Sequence, residues 1–156
     1  MAKQKTISKD IPLIELTLRR YEKPTNLSDR ELIRKLCLSM GILQPGDSRD
    51  AMVDILYVSL KASKERKHLS MKDIETAVVD LRKRFNLPLV GITAPNITRQ
   101  VRRLKDISFL EKTISGYRVT EFSNLHDLFE EKIEGVMLSS INSRIKDYLK
   151  KIDNDF

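Results

Sequence analysis

The sequence predicts a mainly α-helical fold, and three observations carry that prediction. Apolar residues recur at intervals of three and four along most of the chain. Residues that favour helix starts and stops stand at the ends of those stripes. Turn punctuation and aromatic content are low: five Gly, five Pro, no Trp, four Tyr and five Phe in 156 residues, fewer than a β-sandwich or barrel carries.

Residues 1–10 are polar and aperiodic and read as a flexible arm. In residues 11–21, Ile14, Leu16 and Leu18 alternate as in a strand, while Leu13 and Tyr21 suit a short helix; the reading adopted is helix. It opens an N-terminal helical extension over 11–47. Pro24-Thr25-Asn26 breaks that element. Ser28 and Glu31 then stand at capping-box spacing before Leu32, Ile33, Leu36, Cys37 and Met40, and Gly41 suits a left-handed stop. After the turn at Pro45-Gly46-Asp47, Ser48 is expected to cap a helix with Met52, Ile55, Leu56 and Leu60 on one face.

Ser70 and Asp73 open the next helix, whose stripe is Met71, Ile74, Val78, Leu81 and Phe85. Arg82, Lys83 and Arg84 in its last turn complement the helix dipole, and Asn86 and Pro88 end it. An apolar link follows. Thr93 and Pro95 suit the start of a helix with Ile97, Val101 and Leu104 on one face. Two strand-like runs, 109–114 and 117–120, flank Ser115-Gly116, read as a hairpin turn. Ser123 or Asn124 then caps a long helix reaching about Ile152. Its first stripe is Leu125, Leu128, Phe129, Ile133 and Val136. Its second, Leu138, Ile141, Ile145, Tyr148 and Ile152, runs at heptad-like spacing. Gly135 lies where the phase changes, so a bend or local break is expected there.

Several function classes fall away. Cys37 is the single cysteine, so no internal disulfide forms, which fits a reducing interior. No apolar run reaches the roughly 18–20 residues of a membrane span, and no apolar core follows the basic start, so the expected location is cytoplasmic. His68 and His126 stand apart from zinc-ligand spacing, and Glu130, Glu131 and Glu134 read as a solvated helix face. Phosphate-binding glycine loops and nucleophile motifs are missing as well. Neither catalytic residues, metal ligands nor a cofactor are therefore predicted, and the chain does not read as an enzyme.

Charge is more informative. Lys plus Arg total 29 against 22 Asp plus Glu, a net +7. Residues 96–118 carry Arg99, Arg102, Arg103, Lys105, Lys112 and Arg118 against Asp106 and Glu111, a local +4. Around the side of the 94–106 helix opposite its stripe lie Asn96, Arg99, Gln100 and Arg103, flanked by Thr98 and Arg102. Arg pairs with guanine, Asn and Gln with adenine, and Thr and the cations with phosphate. Double-stranded DNA is the partner these types fit.

The stretch 69–74, then 92–112, then Gly116-Tyr117-Arg118-Val119-Thr120, resembles the winged helix-turn-helix superfamily, especially prokaryotic regulators of the multiple-antibiotic-resistance type. The resemblance implies a winged-helix module over 48–121, with the 96–105 helix as recognition helix and the 109–120 hairpin as a wing carrying Lys112 and Arg118. It implies a transcription regulator that binds two-fold sites. Ser108 stands where that family often has Gly, and the 70–85 helix and its link exceed a compact helix-turn-helix. The C-terminal helix, 122–156, would then dimerise through Leu138, Ile141, Ile145, Tyr148 and Ile152, or pack back on its own chain.

Plainer readings exist for each feature. Arg99, Arg102 and Arg103 suit a solvated, ion-paired helix face. Lys112 and Arg118 suit edge-strand charges that discourage aggregation. Winged helices also serve as protein-interaction modules in replication, transcription or chromosome-maintenance assemblies, which makes a protein partner the alternative to DNA.

Overall fold

The computed structural model describes residues 10–156. The arm expected over 1–10 lies outside the described residues except for Asp10. Helix α1 spans Asp29–Ser39, α2 Ala51–Lys64, α3 Met71–Arg84 and α4 Ala94–Asp106. Strands β1, Leu110–Thr113, and β2, Gly116–Val119, form an antiparallel hairpin. A short 3-10 turn, Thr120–Phe122, leads to α5, Leu125–Leu128, a π-helical segment, Phe129–Leu138, and α6, Ser139–Asp155. The fold is mainly helical with one small hairpin.

Local sequence explains the helix starts. At α3 the capping box is complete: Ser70 Oγ accepts from the Asp73 amide at 3.0 Å, and Asp73 accepts from the Ser70 amide at 2.9 Å. At α1 Ser28 Oγ accepts from the Glu31 amide at 3.4 Å. The helix stops share one geometry. Gly41, Arg66, Asn86 and Ser108 follow α1 to α4 with positive φ. Beyond each, an amide reaches back five residues: Ile42 to Cys37, Lys67 to Ala62, Leu87 to Arg82, Phe109 to Leu104.

The apolar faces meet in one core. Cys37 and Leu38 of α1, Ile55 and Leu56 of α2, Ile74 and Val78 of α3, and Ile97, Val101 and Leu104 of α4 are buried together. Phe109, Leu110 and Val119 bring in the hairpin, and Leu128 and Ile133 the C-terminal helix. An antiparallel bridge from Leu69 to Tyr117, with mutual backbone bonds of 2.8 and 2.7 Å, adds one residue to the hairpin's edge.

Four expectations need correction. Residues 11–21 are not helical: Ile11, Leu13 and Ile14 lie in bends and the rest take no regular structure. The segment instead straps across α1: the Arg19 amide donates to Ser39 at 2.8 Å, and Leu16 and Tyr21 pack on the core, while Leu13, Ile14 and Leu18 are exposed, so neither the helical nor the alternating pattern describes it. A Cβ on Gly41 would collide with the Thr17 carbonyl, so glycine there admits this strap. Asp50, not Ser48, precedes α2, and its carboxylate binds arginines instead of capping. Thr113 pairs with Gly116, so the hairpin turn is Ile114-Ser115, one residue earlier than expected. At Gly135 the helix does not break but continues, widened into the π segment.

Arg82 also differs from its expected part as a last-turn cation. It is 2% exposed and sits in a four-residue ionic box. Its guanidinium donates to Asp54 and Asp50 and, through Nε, to the Pro88 carbonyl at 2.7 Å. Arg30 of α1 closes the box on Asp50 at 2.9 Å and Asp54 at 3.1 Å. Two cations meet two anions, so the buried charge is neutral. Burial alone would raise the Asp50 carboxyl, but hydrogen bonds from Arg30 and Arg82 outweigh it and hold it below the usual range.

Breaking one corner leaves the box with one uncompensated buried charge, and removing Arg82 also strips the Pro88 carbonyl of its donor. Arg82→Met should cost about 3–5 kcal/mol in urea unfolding, with no comparable loss for Arg84→Met, which is exposed. Asp50 also sets a pH dependence. Its folded pKa lies below its unfolded one, so its stabilisation is full above the unfolded value of about 4. It is lost as pH falls through the lower folded value. Unfolding midpoints from pH 6 to pH 2 should show this acid limb, shallower in Asp50→Asn.

Candidate nucleic-acid interface

Helix α4 is built to present one side. Ile97, Val101 and Leu104 are buried, which fixes its rotation on the core. Thr93 precedes it in extended conformation and Pro95 lies in its first turn. Thr98 Oγ1 turns back to the Ala94 carbonyl at 2.9 Å. Arg99, Arg102 and Lys105 are exposed.

The predicted polar face divides in two. Asn96, Gln100 and Arg103 are half-buried and form a ladder along the helix. Asn96 Nδ2 donates to the Gly91 carbonyl, Gln100 Nε2 to Asn96 Oδ1 at 3.2 Å, and Arg103 Nη1 to Gln100 Oε1 at 3.0 Å. This row ties α4 to the residue 85–93 link. Gly91, with φ +74°, fits beneath Asn96 where a Cβ would press on Arg49 at 3.2 Å. Arg103 also acts electrostatically on Cys37, but burial dominates and pushes that thiol up to about 12. The open cations are Arg99, Arg102 and Lys105.

The hairpin divides likewise. Lys112 is exposed, its ammonium 5.7 Å from the Tyr117 ring centre. Arg118 is engaged: Nε lies 2.7 Å from Glu111, and its guanidinium covers the Phe122 ring at 4.8 Å. Burial alone would raise the Glu111 carboxyl, but the Glu121 amide and Arg118 outweigh it and hold it below the usual range. Sequence reasoning missed both the ladder and this pairing, although the four-residue and three-residue spacings of Asn96, Gln100 and Arg103 allow the first.

Helix and hairpin are joined rigidly. The Phe109 amide donates to Leu104 at 3.0 Å, and Thr120 closes the hairpin onto the Phe109 and Ser108 carbonyls at 3.1 and 2.6 Å. Ser108 turns the corner at φ +65°. The arrangement is an exposed basic face, not a cavity. Two hollows, of about 430 and 390 Å³, lie among α1, α2, the residue 122–129 segment and the strap, and none of the eight predicted DNA-contact residues lines either.

The C-terminal residues expected to dimerise are brought onto one helix but not covered. Leu138 packs partly on the core, Ile141 is half-buried, and Ile145, Tyr148 and Ile152 are exposed. His126 is less isolated than its sequence context suggests: Asp127 and Glu130 lie beside it, all three exposed. None of the described helices is long and apolar enough to cross a membrane.

Ser108→Gly should stabilise the protein by about 0.5–1 kcal/mol, because glycine takes the left-handed corner without the steric cost but gives up unfolded-state entropy. Chemical denaturation of both proteins measures it. Compared with protein-family models, curated proteins and solved structures, the chain matches none.

Proposed function

We propose that this chain is a double-stranded DNA-binding transcription regulator of winged-helix type, with residues 48–121 as the binding module, acting inside the cell as a homodimer. The observation that carries the reading is the exposed cationic side of α4, fixed beside the hairpin by a shared core. Arg99, Arg102 and Lys105 present charge along one helix side, the footprint a phosphate backbone requires. In this reading α4 enters the major groove, Arg99 reaches base edges, Arg102 and Lys105 meet phosphate, and Lys112 touches the flank. Asn96, Gln100 and Arg103 hold the helix at its angle. Arg118 stiffens the wing root.

Two copies related by a two-fold axis would present their α4 helices about 34 Å apart, one duplex turn. The second reading is a protein-interaction module. It is favoured by α6, whose apolar stripe is open in the single chain.

Binding to a duplex pool over a salt series tests the proposal. The wild type should bind at low salt, with log affinity falling linearly against log salt. Arg99→Ala/Arg102→Ala should weaken binding at least tenfold and reduce that slope by about 1–2, the share of one or two phosphate contacts. Unchanged affinity, or no wild-type binding at low salt, overturns the site.

A further inference from the structure

The two hollows, of about 430 and 390 Å³, lie in sequence along α1. Asp29, Leu32 and Ile33 line the first, and Leu36, Ser39 and Met40 the second, so one face of the helix serves both. The facing wall follows the same order. Phe122 to Leu125 line the first hollow and Leu125 to Phe129 the second, with Leu125 shared. Together they form one groove along α1, whose 11 residues span about 16 Å.

The groove is apolar along its length and charged at one end. Tyr57 and Leu60 line the first hollow, and Phe109 the second. Lys61 and Lys64 stand at the first, both exposed, with the Lys61 ammonium 5.6 Å from the Tyr57 ring centre. Among the described residues neither forms an ion pair, whereas Lys35 and Lys67 each do. Asp29 is the acid at this end, so cations outnumber anions by two to one. The second hollow offers no open cation. Arg19 donates to Gln44 at 2.8 Å and to the Leu38 carbonyl at 3.3 Å, and His126 lies 3.5 Å from both Asp127 and Glu130.

Both hollows leave apolar surface to water. Leu32 in the first is 44% exposed and Leu18 in the second 42%, area that an occupant would cover. Phe122, at the lysine end, has φ +52°, a conformation that costs a bulky residue free energy and concentrates at ligand clamps. A neutral occupant would leave the two lysines unanswered. A diacid would carry its second charge to an end without a cation.

The geometry points to a free medium-chain fatty acid as the ligand of this groove. Its carboxylate sits at Lys61 and Lys64. Its tail passes Leu125 toward Phe109 and Phe129, where Leu18 of the strap forms part of the wall. None of the predicted DNA contacts lines the groove, so the ligand does not depend on DNA binding.

Calorimetry on the full chain, with decanoate below its micelle concentration, tests the assignment. The wild type should bind one decanoate, more tightly than decanol. Affinity should rise by about threefold for each added methylene from butanoate through hexanoate and octanoate to decanoate. Lys61→Gln/Lys64→Gln should weaken decanoate by about threefold to tenfold and leave decanol unchanged. Asp29→Asn should tighten decanoate by about twofold. All three positions are exposed, and circular dichroism confirms that the variants fold. Decanol binding as tightly as decanoate means a neutral occupant and overturns the carboxylate. Affinity that stops rising at hexanoate confines the ligand to the first hollow and overturns the continuous groove. Decanoate bound in many copies with loss of helix is surfactant unfolding. That outcome, or no binding at about 1 mM, overturns the site.

Discussion

The ionic box of Arg30, Asp50, Asp54 and Arg82 is the constraint on which the arrangement depends. Its members come from α1, the start of α2 and the end of α3, and Arg82 also holds the Pro88 carbonyl. The box therefore fixes three helices and the path of the link that delivers the chain to α4. Desolvating four charges is costly, and the cost is offset only if every partner is present with good geometry. The rest of the core is apolar and its contacts are non-directional. The hydrogen bonds of the box are directional, so they specify how the helices meet while the apolar residues fill the space between them.

The link delivered by that box matters for the basic face. Gly91 accepts the first rung of the ladder running through Asn96 and Gln100 to Arg103. Rotation of α4 is thus set from two sides, by Ile97, Val101 and Leu104 below and by the ladder alongside. The remaining cations need no rearrangement to form a continuous basic side. Polar residues that look like ligand contacts in one dimension serve here as the frame for those that stay open.

What could be read from the chain was local. Ser70 with Asp73, Gly41, and the stripes of α1, α3 and α4 are recorded in spacing alone, because capping and helical periodicity are short-range. The hairpin was legible for the same reason. What escaped depends on residues far apart in sequence. Arg30 lies 24 residues from Asp54, and Arg82 lies 28 from it, so no periodicity marks them as partners. The strap over 11–21 was misread because its side chains answer to α1, not to their own neighbours. Of the candidate site, residue types were legible, but which cations stay open was not. Arg118 and Arg102 look equivalent until Glu111 and Phe122 are placed beside the first.

The π segment has a consequence for geometry at a distance. Over Phe129–Leu138 the helix carries about one more residue per turn than an α-helix, and Gly135 admits the widening, since a Cβ there would sit 3.0 Å from the Glu130 carbonyl. Ile133 upstream is locked into the core, whereas α6 downstream has no buried residue. One residue of α-helix is about 100° of rotation. The segment therefore works as a vernier: the direction in which α6 points its apolar stripe is encoded by chain length between Ile133 and Ser139, independently of the composition of the stripe. A single-residue insertion or deletion there would leave both ends intact and swing one against the other by roughly a quarter turn.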